Sequence, residues 1–419
     1  MDETRALGRL LGPDSARGRL LSTGLPLLLT STSMVVIPLV ARQYLDDSGY
    51  AAWAILMTVI IGAGLLDLGG SAYLQSLGFG RRPTTRQYFR ALVLTTGGAA
   101  VVTLLALVAG QLITDTGAAA ALRPQYVGLV LLCGLAAGAR NAVLLVMARL
   151  QVSLRFRLRS WVAAIHAAMQ VLACWVALAI GAGLWALGGG VLAGSLVALG
   201  VAQVALLVHP EPLPRNDAHF PLGRFATYRT TATVVAMISS QADRWVLALV
   251  ATPSFLANYD LALRFAQLPV GVASALLIGV ISETAALQGN DARRQLLRRT
   301  TRQAGLLIMP LVIADAVVVT ALGLAGLVPV SAELLVVFLL ASVWFGVSAL
   351  AAPTGFASIG VAHPERELYY SVPALACTAA GWAVALALQE PWLVVLSTFV
   401  SVTSWSLWFV YYGTQRAQY

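Results

Sequence analysis

Long apolar runs alternate with short polar connections along the whole chain. The runs fall near 20–41, 50–77, 89–113, 125–150, 160–180, 185–208, 225–250, 258–287, 304–323, 332–360, 370–388 and 392–412. Each is close to or above the ~20 residues that a helix needs to cross the hydrocarbon core of a bilayer. Strands of a membrane barrel would be about ten residues long, with lipid-facing and lumen-facing positions alternating. These runs do not alternate, so helices are predicted. The expected fold is all-α, a polytopic membrane bundle of about 12 transmembrane helices.

The longest central connection, 209–224, contains Pro210, Pro212, Pro214 and Pro221 among polar residues and reads as a linker. It divides the chain into an amphipathic segment 1–19, an N-terminal lobe 20–208, a C-terminal lobe 225–412 and a tail 413–419. An even number of spans per lobe lets a duplicated unit keep its orientation, as in parallel-repeat transporters. The first and seventh runs are both rich in hydroxyls, and each ends in an arginine, Arg42 or Arg244, ahead of a tyrosine, Tyr50 or Tyr259.

Composition agrees with the pattern. Only 11% of the 419 residues are charged, too few to coat a water-soluble chain of this length. All 27 positive residues are arginine, and the pI near 9.9 would ordinarily raise a nucleic-acid partner. The arginines form no single patch, so none is expected. They follow topology instead. Arg81, Arg82, Arg86 and Arg90 follow the second run, Arg149, Arg155, Arg157 and Arg159 the fourth, and Arg293, Arg294, Arg298, Arg299 and Arg302 the eighth. Connections after odd-numbered runs hold only Arg42 and Arg123, with acids at Asp46, Asp47, Asp115, Glu333 and Glu390. Arginine-rich loops face the cytoplasm, which puts both termini inside and predicts a multi-pass protein of the inner or plasma membrane. Cys133, Cys174 and Cys377 lie far apart in apolar runs, as expected of buried packing residues without metal or redox spacing. No Walker A loop, HExxH or nucleophile elbow occurs, so neither enzymatic chemistry nor a resident metal or other cofactor is expected.

Charges inside spans are costly and mark candidate function. They are Asp67, Arg140, Arg229, Asp243, Arg244, Asp260, Arg264 and Asp315. Asp260 and Arg264 are four apart and share a helix face. With Asp243 and Arg244 they make a polar cluster toward the outer leaflet, either a self-neutralising clamp or an arginine pair open to an anionic headgroup. Arg140 is near the middle of its span with no acid within a turn. It faces a cavity, or it meets Asp67 or Asp315 across helices. Arg229 lies about one turn inside its span, within reach of headgroups or a cavity. Asp67, in Leu66-Asp67-Leu68-Gly69-Gly70, suits a cap or an inter-helix bond as well as a functional role. Asp315 has no adjacent base and would suit proton binding or a protonated structural role equally. His166 reads as packing. Pro26, Pro38, Pro269, Pro310 and Pro353 interrupt spans.

Gly49-Tyr50-Ala51-Ala52-Trp53, then Leu66-Asp67-Leu68-Gly69 with Ala72, resembles the start of the Wzx-type polysaccharide flippases. These belong to the multidrug/oligosaccharidyl-lipid/polysaccharide (MOP) exporter superfamily. There a Tyr-Gly-x-Trp-like turn precedes span two and a Leu-Asp-Leu-Gly-like segment ends it; here the tyrosine and glycine are reversed. Asp243-Arg244 followed by Tyr259 and Arg264 is similar to the family's Asp-Arg … Tyr … Ala-x-Arg pattern.

The resemblance implies two six-helix lobes around a central cavity and alternating access. The cargo it implies is an undecaprenyl-pyrophosphate-linked oligosaccharide, moved to the outer leaflet for cell-surface polysaccharide export. It also implies a cationic cavity, for which Arg140, Arg244, Arg264, Arg229 and Arg42 are the candidates. Coupling to H+ or Na+ would fall to Asp243, Asp260, Asp315 or Asp67. The implied partners are a lipid-linked anionic glycan, membrane lipids, and a polysaccharide polymerase or export proteins. A drug/cation antiporter of the same fold should prefer an acidic cavity, whereas four arginines here balance four aspartates. A membrane glycosyltransferase or polymerase would need a sizeable outer loop, and these loops are short.

Overall fold

The structure is a computed structural model. It describes residues 33–76, 83–113, 122–153, 155–208 and 222–277, positions 280, 284 and 287, and 289–416 except 327, 329 and 362. The segment 1–19, the first residues of span one, most of the linker (209–221) and the tail beyond 416 lie outside the described residues.

The described chain is helical with no strand. A helix at 33–44, α1, is followed by α2 (Asp47–Leu65), α3 (Gly70–Ser76), α4 (Thr85–Ile113), α5 (Tyr126–Val152), α6 (Phe156–Ala179) and α7 (Trp185–Val208). The second half comprises α8 (Leu222–Val250), α9 (Pro253–Leu277), α10 (Asn290–Leu324), α11 (Ala332–Gly360), α12 (Leu368–Leu388) and α13 (Pro391–Tyr411). Nine described helices, α2, α4–α7 and α10–α13, are long and apolar enough to cross a membrane. Helices α8 and α9, with 29 and 25 residues, are long enough too, but they carry most of the buried charge.

Packing gathers the described helices into two groups, or lobes, one from each half of the chain. Helices α6 and α7, α5 and α7, and α4 and α5 pair in the first; α9 and α11, α12 and α13, and α11 and α13 pair in the second. The main apolar core lies where the lobes meet and includes Trp53, Ile55, Val102, Leu247, Phe265 and Trp344. Helix α2 is the hub, packing on α4 and α5 in its own lobe and on α8 and α9 across the junction. It is buried from Tyr50 to Ile60 without interruption, as a helix enclosed on every side must be.

Three features depart from the sequence expectation. The second span is not one helix: it breaks at Leu66–Gly69, where Leu68 (φ 46°) and Gly69 (φ 77°) turn left-handed. Asp67 accepts the N–H groups of Gly69 (2.9 Å) and Ser71 (3.1 Å), satisfying donors that the break exposes. Helix α4 crosses the break at Gly98, where a Cβ would fall 1.5 Å from the Leu66 carbonyl oxygen, so only glycine fits. The second departure concerns Arg293–Arg302. Expected in a connection, these residues form the first turns of α10, a helix of 35 residues. Arginine, leucine and glutamine are good helix formers, so a polar stretch of this composition prolongs the helix. Cys377 is also exposed, while Cys133 and Cys174 are buried as expected.

Candidate functional site

Helix α2 starts at Asp46, whose carboxylate caps the Gly49 N–H at 2.7 Å. That cap sets the register that points Tyr50 into the other lobe, where its hydroxyl reaches Asp260 of α9 at 3.4 Å. Two turns on, Trp245 of α8 donates its indole N–H to the Thr58 hydroxyl at 2.7 Å. Both α8 and α9 of the second half therefore meet α2 through polar side chains set in an apolar surface.

Behind Tyr50 sits a fully buried ionic network. Arg244 donates from Nε to Asp260 (2.7 Å) and from Nη1 to Asp243 (3.0 Å) and the Ser240 carbonyl (2.9 Å). Arg264, four residues after Asp260 on α9, donates to the same carboxylate at 2.9 Å and 3.3 Å. Tyr259 donates to Asp243. The guanidinium of Arg244 also lies 6.0 Å from the Tyr259 ring centre. Two arginines and two aspartates, all buried, thus cancel each other's charge. Arg42 pairs with Asp47 and lies 5.5 Å from the Tyr50 ring centre, a smaller version of the same arginine-over-tyrosine arrangement in the first lobe.

Arg140 is different. It stands midway along α5, half-buried, and its one hydrogen bond is to a backbone oxygen, the Ile60 carbonyl at 3.2 Å. Among the described residues no carboxylate pairs with it, neither Asp67 nor Asp315. Its neighbour Asn141 donates to the Ala63 carbonyl (2.8 Å) and the Thr95 carbonyl (3.0 Å), tying α5 to α2 and α4. The α2 break explains that bond, because Asp67 lies beyond the helix and the Ala63 oxygen has no intrahelical donor. Gly64 makes room for the guanidinium, since a Cβ there would come within 2.7 Å of Nη1. Such a group, charged and unpaired at mid-span depth, can accept an anion bidentately.

The remaining candidates are spread out. Asp315 is buried on α10, and its Oδ2 has no partner. The backbone of Arg229 is in α8, but its side chain lies outside what is described. His166 is buried between α6 and α7, with Nε2 3.0 Å from Ser195 Oγ and 2.8 Å from Gln170 Nε2. Two cavities flank the network. One, about 260 Å³, has a mostly apolar lining that includes Leu263, Trp344 and Phe345, with Asp243 and hydroxyl-bearing residues such as Ser239, Ser348 and Ser406 among them. The other, about 340 Å³ and apolar, runs between α2, α4 and α8 beside Val59, Gly62, Val102 and Met237. Residue spacing did not reveal Tyr50–Asp260, Trp245–Thr58 or the cavity at Asp243, because each joins distant segments.

A model of a family described as polysaccharide biosynthesis protein matches residues 82–349. A MOP superfamily transporter from Pyrococcus furiosus has a similar structure, with a TM-score of 0.65 and 13% identity over 95% of this chain and 96% of that one. A mutant of a Vibrio cholerae MATE transporter is similar too, with a TM-score of 0.64 and 12% identity over 96% and 97%. At this level of identity the likeness is one of fold, and it runs the length of both chains. No protein with a curated description matches the sequence.

Proposed function

We propose that this chain, which belongs to the polysaccharide biosynthesis protein family, moves an undecaprenyl-pyrophosphate-linked oligosaccharide from the inner to the outer leaflet. Arg140 carries the reading. A mid-span guanidinium bound to the protein only through a carbonyl keeps its charge available for an anionic cargo. A diphosphate between lipid and sugar supplies that anion. The apolar crevice beside α2 gives the lipid portion a surface continuous with the bilayer, since neighbouring Leu105 is exposed. Alternating access follows from separating the lobes along α2, where few polar bonds cross. Arg244 and Arg264 act within the closed network and gain a role toward anions only when it opens. The H+ or Na+ coupling candidates divide the same way. Asp243 borders a cavity, Asp260 is locked between two arginines, Asp67 caps the α2 break, and Asp315 has one free oxygen. On this reading the protein sits in the inner membrane with its termini in the cytoplasm, beside the polymerase that consumes the exported unit.

The experiment follows lipid-linked oligosaccharide in each leaflet as the protein is depleted and then restored. Wild-type protein is expected to clear the cytoplasmic leaflet, Arg140→Ala to fail, and Arg140→Lys to recover part of the flux. An unchanged leaflet distribution on depletion overturns the lipid cargo. A second reading, a MATE-like exchanger of organic cations, is favoured by the cavity at Asp243. It requires cation efflux that depends on Asp243 and is indifferent to Arg140.

A further inference from the structure

The first turns of α10 have no role in the pathway at the lobe junction, yet they hold five arginines between positions 293 and 302. Residues 290–303 contain one acid, Asp291. The apolar part of the helix, 304–324, spans 21 residues, enough for the hydrocarbon core. The 14 residues before it extend about 21 Å further at 1.5 Å per residue. That carries them through the headgroup layer. Arg294, Arg298 and Arg302 recur every four residues and line one stripe, with Arg299 beside it. Leu297, Thr300 and Ala304 face inward on the other side.

The stripe is joined to an aromatic shelf. Arg298 donates to the Thr414 carbonyl and to the Gln415 side chain, both at 3.2 Å, which holds the turn after α13 against α10. These acceptors are neutral, so the charge of Arg298 is not cancelled. Next to that turn, Trp405 meets Trp408 edge-on at 5.9 Å, Trp408 stacks on Tyr412 at 5.5 Å, and Tyr412 meets Tyr369 edge-on at 6.0 Å. Tyr369, Trp408 and Tyr411 are exposed, as are Arg298, Arg299 and Arg302. Aromatic rings at headgroup depth beside these three guanidinium groups fit one kind of neighbour, an acidic phospholipid. Its phosphate meets the arginines and its glycerol region meets the rings.

We propose that the start of α10 and the end of α13 form a binding surface for anionic phospholipid of the leaflet they face, the cytoplasmic one in the orientation given by the arginines. The surface is separate from the Arg140 pathway and does not depend on the cargo assigned to it.

The test uses the full chain in neutral detergent, titrated with phosphatidylglycerol, phosphatidylcholine or inorganic phosphate, with lipid retention and the midpoint of thermal unfolding as readouts. Arg299→Gln/Arg302→Gln removes two exposed charges of the stripe and leaves Arg298 holding the turn after α13. Arg86→Gln/Arg90→Gln on α4 removes the same net charge elsewhere. Each interfacial arginine is worth roughly fivefold in anionic-lipid affinity, so the α10 variant should bind phosphatidylglycerol at least tenfold more weakly. The α4 variant should change by less than threefold, and phosphatidylcholine and phosphate should stabilise none of the proteins. Equal losses in both variants mean diffuse charge attraction and overturn the site. Stabilisation by phosphate alone, or undiminished lipid binding by the α10 variant, overturns it as well.

Discussion

Two groups of cations sit near the lobe junction, and they have been handled in opposite ways. In the second lobe Arg244 and Arg264 are enclosed by Asp243 and Asp260, with Tyr259 donating to Asp243 and Arg244 Nη2 left without a partner among the described residues. In the first lobe Arg140 is given a carbonyl and no acid. A buried pair is felt mainly through what is lost when one member is removed. An unpaired cation at mid-span is tolerated where water or a ligand reaches it. On the proposed function the same residue type serves cohesion in one place and recognition in the other, and the neighbouring acids make the difference.

The sharpest way to break this contrast is Asp260→Asn. It leaves the buried Arg264 with no carboxylate and Arg244 with Asp243 alone, a loss of about 3–5 kcal/mol. The folded fraction in detergent, followed by thermal unfolding and size-exclusion, should fall steeply. Arg140→Ala is the complementary case. One neutral acceptor is released, a change of about 1 kcal/mol, so the unfolding midpoint should barely move while transport is lost; a large drop in stability would put Arg140 among the cohesive residues. Gly64→Ala sharpens the comparison without altering any charge. The new Cβ displaces the Arg140 guanidinium, and transport is expected to fall severalfold with the lobes intact. Tyr50→Phe has the smallest effect. It removes a long bond between the lobes, worth about 0.5–1 kcal/mol. Cysteine accessibility at the N-terminal end of α2 should rise by a factor of about two to five.

Apolar run lengths make the spans legible in residue order, because lipid forces backbone bonds inside each segment. The four-residue spacing of Asp260 and Arg264 makes their pairing legible too. What stays hidden depends on acceptors or partners that leave no mark along the chain. Arg140 binds a carbonyl, which any residue at position 60 would supply. Tyr50 and Asp260 meet from positions 210 apart. The start of α10 reads as a loop because of its charge, whereas helix propensity carries the backbone through a polar stretch. Leu66-Asp67-Leu68-Gly69-Gly70 hints at close packing, but the left-handed Leu68 is set by Asp67 capping the next helix and by α4 pressing on Leu66.

Helix α2 is fastened to its own lobe at its C-terminal half, through Ile60 and Ala63, and to the other lobe at its N-terminal half, through Tyr50 and Thr58. The alternating access proposed above would have to rupture one of these seams. The C-terminal seam includes a charged donor and an otherwise orphaned carbonyl, whereas the N-terminal one has a single indole bond and a stretched phenol bond. On that proposal the fracture runs along the N-terminal seam: α2 would travel with the first lobe as a fixed wall, and the second lobe would be the part that peels away from it.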